Sequence, residues 1–539
     1  MKRRESVLGA VLVLTALVLF AWTHRYALTL PGVAEDIGIV QQLADQARQG
    51  GLIGEVWLRF TGPLWGPGST MWRPWAYASL GLDALLYGES AAQWRYTNLL
   101  LHLAAASGCA LLAYKMLMSP IGASAAFAVV LLNPWSAEIT LWIVGRFDGW
   151  ATAAMALSLW TLSRSGGRDR WLVASLILAA VAYMSKESAL LLPGAVFCLL
   201  VFRVATRYST VASIAFNGTT RNAVLVHGRA HAPAIALHLG LALLYLALRH
   251  ALVDSAGLNV YSTVRIESLG ELLVRLAHHL QRFAAVSELA PKAASLMATF
   301  VLLSIIGSLR TKDAILVWST GCAIVAATFI GAAWHFDEKW GIGGDGDRIY
   351  YVAMLGFALM LAAGVVALKE SGVILVLVCS VTLAFWQDRV NREWWYAASV
   401  HRDVLPAISQ AIEKLPREAY SVVFLPDPIG RVPWARNANG SIVRAAQLVS
   451  ASQRQDYNGF MVAFLPTQLD QLRGLLGKEN FVGLLTNRID APKHPTVYFC
   501  FEPGQSTLSR LDTLHSAMNP EAFAAWRVTA NAYCPSLKL

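Results

Sequence analysis

Glu35 and Asp36 are neighbouring carboxylates placed shortly after the first long apolar run. Side-by-side carboxylates repel, which raises one pKa and leaves a base available near neutrality; a solvated acidic loop is the competing reading. Arg73 follows in Met71-Trp72-Arg73-Pro74-Trp75. Arg95, Asn98 and His102 then stand at i, i+3, i+7 and share one helical face, which is either a polar packing seam or part of a site. Glu138, Arg146 and Asp148 cluster at the facing ends of two consecutive apolar runs, joined by a short loop. Lys186-Glu187 occupies a tight turn, as an ordinary interfacial ion pair or as a cation for an anionic ligand. The last group sets Arg348 among Asp345, Asp347 and Tyr350. A guanidinium there can fork onto a phosphate through two parallel charge-assisted bonds, or pair with Asp345 or Asp347 to hold its loop. His335, Asp337 and Glu338 offer ligand atoms for a divalent metal ion, in a spacing that matches no recognised metal set.

The elements that must position these groups follow from composition. The chain has 539 residues, 56% hydrophobic and only 14% charged, with 19 tryptophans, and a mean hydropathy of +0.48. Soluble domains carry about 25% charged residues, so this composition cannot cover a chain of such size with a solvated surface. It predicts an integral membrane protein. The net charge of +10 is scattered between apolar runs, not gathered in a stripe, which argues against nucleic-acid binding.

A spanning helix needs about 20 apolar residues. Eleven segments qualify: 7–26, 93–117, 121–138, 148–163, 171–185, 188–203, 232–251, 293–309, 314–333, 349–368 and 371–387. The first begins Met-Lys-Arg-Arg and resembles a signal peptide, but its apolar run is too long for one and no small-residue cleavage site follows. It reads as an uncleaved anchor with a cytoplasmic N-terminus. Threading the rest puts Lys115, Arg164, Arg203, Arg221, Arg310 and Lys369 on the cytoplasmic side, in agreement with the positive-inside rule. The long acidic and aromatic loops, 27–92, 139–147, 252–292 and 334–348, then face outward with everything after about residue 388. Residues 72–87, Trp-rich at one end and with Asp83 inside, read as an amphipathic helix lying at the interface.

The fold expected is therefore a multi-span α-helical membrane protein of about 11 transmembrane helices. Residues 1–390 form the polytopic catalytic part, and 391–539 a small C-terminal extracytoplasmic domain of α/β or α+β type. Alternating runs such as 421–425 and 496–500, bounded by Pro, Gly and Asn turns, supply its strands. Cys500 and Cys534 would meet an oxidising compartment there, free or paired. No period of a solenoid repeat appears.

In order, these motifs resemble the C-type (GT-C) integral-membrane glycosyltransferases. The carriers are the carboxylate pair after the first span, Arg73-Pro74, Leu86-Tyr87-Gly88-Glu89, Asn98 with His102, Asn133-Pro134 to Glu138, Gly145-Arg146-Phe147-Asp148, Lys186-Glu187 to Pro193, and Asp347-Arg348-Ile349-Tyr350 to Gly356. The resemblance covers about residues 1–390. It is nearest to the membrane half of the transmembrane and tetratricopeptide O-mannosyltransferase group, with aminoarabinose transferases and protein O-mannosyltransferases more distant. It implies a polyprenyl-phosphate sugar as donor, a glycan, lipid or protein acceptor, and transfer on the non-cytoplasmic face, here the periplasmic face of a bacterial inner membrane. By the same resemblance Asp36 is the base with Glu35 as its partner, and Asp148 a second acid that orients the acceptor or a cation. Arg348, Arg73 and Lys186 would hold the donor phosphate, with Glu138, Arg146, His102 and Tyr350 positioning donor and acceptor. No cofactor is required by the pattern beyond a possible divalent metal ion. The chain departs from the family in having Glu35-Asp36 for Asp-Asp, Asn133-Pro134 for His-Pro, Asp347-Arg348 for Glu-Arg, and the small C-terminal domain in place of helical repeats. A transporter or lipid flippase, or a non-catalytic glycan-assembly scaffold, are the alternatives; against a transporter, the charges sit in outer loops and no halves repeat.

Overall fold

The computed structural model describes residues 2–33, 36–65, 69–166, 169–207, 218–253, 268–285, 291–335, 347–415, 420–426, 432, 461–464, 496–511 and 520–537. In chain order the helices are α1 (Lys2–Thr23), α2 (Asp36–Arg48), α3 (Leu52–Phe60), α4 (Pro74–Tyr87), α5 (Ala91–Leu117), α6 (Pro120–Leu131), α7 (Ala137–Leu141), α8 (Arg146–Arg164), α9 (Arg170–Tyr183) and α10 (Leu192–Arg207). They continue as α11 (Gly218–Leu252), α12 (Leu269–Ala285), α13 (Pro291–Ser308), α14 (Lys312–His335), α15 (Ala353–Leu368) and α16 (Glu370–Glu413). Strands β1 (Tyr420–Phe424), β2 (Met461–Phe464), β3 (Thr496–Cys500) and β4 (Ser509–Leu511) follow, and α17 (Pro520–Tyr533) comes last.

The molecule is a multi-span helical membrane protein with a small sheet. Each of the eleven apolar segments carries a helix. By length and composition, five stretches among the described residues can cross a bilayer: Arg3–Thr29, Ala91–Leu117, Ala232–Leu252, Asp313–Ala333 and Glu370–Ala411. Pro120–Leu131 and Pro134–Leu141 make a sixth if their 49° bend is counted as one broken span. On α1, Val7, Val11, Leu14 and Val18 are exposed on one face while Leu12 and Ala16 are buried on another. An exposed apolar stripe on a helix of this kind faces lipid, which solvates it without cost.

Local sequence explains the helix ends. Met118 adopts a left-handed conformation, φ 51°, to stop α5. Ser119 then caps α6 by accepting from the Gly122 amide, with Pro120 in the first turn, where its missing N–H costs nothing. Asp169 caps α9 by accepting from the Trp171 and Leu172 amides. Packing among α13, α14 and α15 rests on small residues, as membrane helices require in the absence of a hydrophobic drive between them. A Cβ at Gly356 would stand 2.4 Å from the Gly321 carbonyl oxygen, and one at Gly364 2.4 Å from Ser304 Cα.

The sheet has the order β2-β1-β3-β4, with β1 parallel to β2 and β3, and β4 antiparallel to β3. Cys500 on β3 is disulfide-bonded to Cys534, just after α17, so the pairing that the sequence left open is formed. Helix α16 runs without interruption from Glu370 to Glu413, so residues 391–413 extend the last apolar helix and the sheet begins at Tyr420.

Candidate functional site

The site grows from a broken helix. Pro134 has no amide hydrogen to continue α6, and the carbonyls released at the break must find donors inside a membrane protein. Asn133 Nδ2 turns back to the Val130 carbonyl. The Leu131 carbonyl accepts from His102 Nε2 at 2.9 Å and from Gln387 Nε2 at 3.2 Å. Gln387 Nε2 also reaches the Asn133 carbonyl at 3.1 Å and Ser136 Oγ at 2.9 Å. Because a carbonyl only accepts, His102 carries its proton on Nε2, and Nδ1 accepts from the Tyr351 hydroxyl at 2.5 Å. Helix α7 starts beyond the break and carries Glu138 in its first turn.

After α7 the chain folds back through a 3₁₀ turn, Ile143–Gly145, into α8. Glycine is required at 145, since a Cβ there would lie 2.1 Å from the Glu138 carbonyl oxygen. This hairpin sets Glu138 and Asp148 on either side of Arg348. Arg348 Nη1 donates to Glu138 Oε1 at 2.8 Å, its backbone amide donates to Glu138 Oε2 at 2.6 Å, and its Nε stands 3.7 Å from Asp148 Oδ2. The guanidinium lies over the Trp142 ring, 4.5 Å from the centroid, a cation–π contact. Lys186 Nζ donates to the same Asp148 Oδ2 at 3.0 Å. Next to Lys186, Glu187 accepts a two-pronged pair from Arg73, with Nε at 3.0 Å and Nη2 at 2.7 Å from Oε2. Burial alone would raise the Glu187 carboxyl, but Arg73 and Lys186 hold it below the ordinary carboxylate range.

Glu138, Asp148, Glu187, Arg73, Lys186 and Arg348 thus form one largely enclosed cluster of three anions and three cations. Enclosed ion pairs are a poor source of stability, because desolvation offsets most of their attraction. Ionisable groups held at such cost in a membrane protein point to function.

Asp36 stands apart from this cluster but accepts hydrogen bonds from the same hairpin. It opens α2 and is fully buried. Oδ2 accepts from the Val33 and Ile143 amides, both at 3.2 Å, and Oδ1 from the Val144 amide at 3.4 Å. Arg95 Nη2 lies 3.8 Å away while its other bonds gather the carbonyls of Leu30, Pro31 and Leu141. Burial pushes the Asp36 carboxyl up to about 6, against the opposing pull of Arg95 and the three amides. Glu35 lies outside the described residues.

Arg146 does not join the cluster. It is fully buried against α4 and α5, paired with Asp83 at 2.6 Å, and bonded to Asn98 Oδ1 at 3.0 Å and the Trp94 carbonyl at 2.8 Å. Tyr350 turns its hydroxyl to His279 Nδ1 at 2.9 Å and stacks on Phe329; its neighbour Tyr351 is the residue that meets His102. Of the acids considered as partners for Arg348, Asp345 lies outside the described residues and Asp347 is described only by its backbone. Asp337 and Glu338 of the metal reading also lie outside. Among the described residues no three His, Cys, Asp or Glu side chains stand together as a metal site requires, and Glu138, Asp148 and Glu187 are each engaged by a cation.

Sequence spacing assigned no site role to Asp83, Tyr351, Gln387 or His279. Asp83 was visible as a charge inside an otherwise apolar helix; Tyr351 adjoined a named motif. Gln387, as a lone glutamine at the end of an apolar run, carried no signal.

No protein-family model matches the chain, and no curated protein matches it significantly. Among solved structures it is similar to ArnT from Cupriavidus metallidurans bound to undecaprenyl phosphate, at 14% identity and a TM-score of 0.46, over 96% of this chain and 94% of that one. It is also similar to the Archaeoglobus fulgidus oligosaccharyltransferase in its apo form, at 12% identity and a TM-score of 0.48, over 92% of this chain and 69% of that one. A third likeness is to AglB of Archaeoglobus fulgidus in complex with an inhibitory peptide and a dolichol-phosphate, at 12% identity and a TM-score of 0.46, over 91% and 69%.

Proposed function

We propose that this protein transfers a hexosyl or pentosyl group from a polyprenyl-phosphate donor to an acceptor hydroxyl, with inversion at the anomeric carbon. The observation that carries the reading is the convergence of Arg348 and Lys186 on Asp148, with the Arg73–Glu187 pair beside them, inside a bundle of apolar helices. A headgroup phosphate whose tail dissolves in the bilayer needs cations of this kind at the membrane rim, and the order of motifs along the chain resembles GT-C enzymes.

In this mechanism the acceptor oxygen attacks the anomeric carbon as its proton passes to the Asp36 carboxylate. The bond from the anomeric carbon to the phosphate oxygen breaks, and its electron pair leaves with the polyprenyl phosphate. Arg348, Lys186 and Arg73 meet that growing charge, already dehydrated and held in place by their carboxylates, so little reorganisation is needed at the moment of reaction. Asp148, shared by Lys186 and Arg348, orients the cations. Glu138 fixes the Arg348 side chain, while Arg146 and His102 act from behind, holding the hairpin and the break. Glu35 would tune its neighbour.

The same proposal sets the membrane in a bacterial inner membrane, with the N-terminus cytoplasmic and the sheet domain periplasmic. Basic inner loops support it, as does the Cys500–Cys534 disulfide, which suits an oxidising compartment. The test is transfer of label from radiolabelled polyprenyl-phosphate sugars to membrane fractions. Transfer by the wild type and its loss in Asp36→Asn are expected; a wild-type protein that moves no sugar from any such donor overturns the reading.

A further inference from the structure

We propose that Gln387 is a positioning residue for the pair Glu138–Arg348, acting across the helix break. The inference rests on the transferase reading for its catalytic consequence and on geometry alone for its structural one. Gln387 projects from α16, more than 240 residues from the break in sequence, and is fully buried.

Its carboxamide is used at both ends. Oε1 accepts from Thr23 Oγ1 at 2.8 Å, at the end of α1. The two hydrogens on Nε2 serve three acceptors of the break: the carbonyls of Leu131 and Asn133 and the hydroxyl of Ser136. Those acceptors are the last residue of α6, the residue before Pro134, and the residue immediately before α7. One side chain therefore sets where α7 starts, and α7 presents Glu138 one position later.

A closed circuit follows. His102 bonds the Leu131 carbonyl on one side and the Tyr351 hydroxyl on the other. Tyr351 lies in the turn that carries Arg348, and Arg348 returns to Glu138 through backbone and side chain. Gln387 bonds the break at two residues that His102 leaves untouched, Asn133 and Ser136. Removing its amide hydrogens frees α7 to shift while His102 still holds Leu131. The Asn133 carbonyl keeps the Ser136 amide and hydroxyl as donors, so what the substitution removes is the tie between the break and α16, and Arg348 would then meet a displaced carboxylate. A glutamine that only filled space would have no such effect.

The experiment uses the full-length protein in detergent or nanodiscs, as wild type, Gln387→Glu, Gln387→Leu and Glu138→Gln. Gln387→Glu keeps volume and the acceptor for Thr23 but has no amide hydrogens. Hydrogen exchange is followed at the Arg348 backbone amide, whose acceptor is Glu138, with the α15 amides as a reference. Both Gln387 variants are expected to accelerate Arg348 exchange about tenfold, as Glu138→Gln does, with α15 unchanged. Unchanged Arg348 exchange, or equal acceleration throughout α15, overturns the proposal. A kinetic arm adds the mechanism: Gln387→Glu should raise the donor KM about tenfold with a smaller change in kcat, and add little in an Arg348→Lys background. Full additivity there also overturns it. If the wild type moves no sugar from a polyprenyl-phosphate donor, the transferase reading fails, and the exchange arm still decides the role of Gln387.

Discussion

Arg348 holds Glu138 with two separate bonds, one from its backbone amide at 2.6 Å and one from Nη1 at 2.8 Å. The pair joins the 3₁₀ turn Asp347–Tyr350 to a helix 210 positions earlier. Only the side-chain half depends on arginine, so substitution at 348 leaves Glu138 with a backbone donor. The geometry of the turn and the charge of the guanidinium can therefore be tested apart.

Arg348→Lys is expected to keep partial activity, since it retains charge but loses the fork. Arg348→Ala is expected to lose both donor affinity and rate. Equilibrium binding of the lipid donor, measured separately from turnover, discriminates the roles. If Arg348→Ala binds donor as tightly as wild type, the side chain only braces Glu138 and Asp148.

Asp36 gives a pH prediction in two directions. Its folded pKa of about 6 lies above the ordinary 3.8, so the protonated form is favoured by folding. Its contribution to stability is complete below 3.8 and is lost as pH rises through about 6. Base catalysis runs the other way, growing as the carboxyl ionises over the same window. Turnover should therefore climb through about pH 6 while the unfolding temperature declines, with both slopes absent in Asp36→Asn and its turnover lower by about 10²- to 10⁴-fold. A pH profile flat across that window argues that another group is the base.

The membrane class was legible because 14% charge and long apolar runs leave no alternative solvent. Helix positions followed for the same reason, and each apolar segment carries one. The site was legible only in part. Glu138, Asp148, Lys186 and Arg348 were visible as charges in an apolar chain, but spacing reports neighbours on one helix, not partners across the bundle. Hence the match of Arg146 to Asp83, and of Arg73 to Glu187, could not be read, although all four charges could. His102 was visible on its helical face, but its partner Tyr351 follows the 3₁₀ turn at Asp347–Tyr350, which only the fold brings to it. Gln387 was silent because an amide in an apolar run has no signature until the break it serves is seen.

Gly145→Ala is expected to damage the site without touching a charge. The new methyl would collide with the Glu138 carbonyl oxygen, 2.1 Å from its ideal position, and with backbone at 3.0 Å on either side. Backbone cannot yield as a flexible side chain does, so the hairpin must open. Donor affinity should fall at least as far as in Glu138→Gln, with a lowered unfolding temperature. Wild-type affinity in Gly145→Ala would mean that the hairpin tolerates movement and does not set the cluster.

Arg73 and Glu187 allow structure and chemistry to be separated by a paired substitution. The two are buried, 3% and 14% exposed at the side chain, and bonded through two arginine nitrogens. Removing either partner alone takes from a buried charge its main counter-ion, which costs up to about 3–5 kcal/mol. Arg73→Met and Glu187→Leu should each lower the unfolding temperature for this reason. Replacing both removes the poorly compensated charge, and apolar substitutes of similar volume are often neutral in such a place, so the double variant should regain most of the stability that either single substitution loses. Activity should not return with it, because the double variant still lacks the cation assigned to the donor phosphate. Thermal unfolding and donor KM measured on the four proteins make the comparison. Should the double variant recover wild-type turnover together with stability, Arg73 serves the fold alone and the phosphate is met by Arg348 and Lys186.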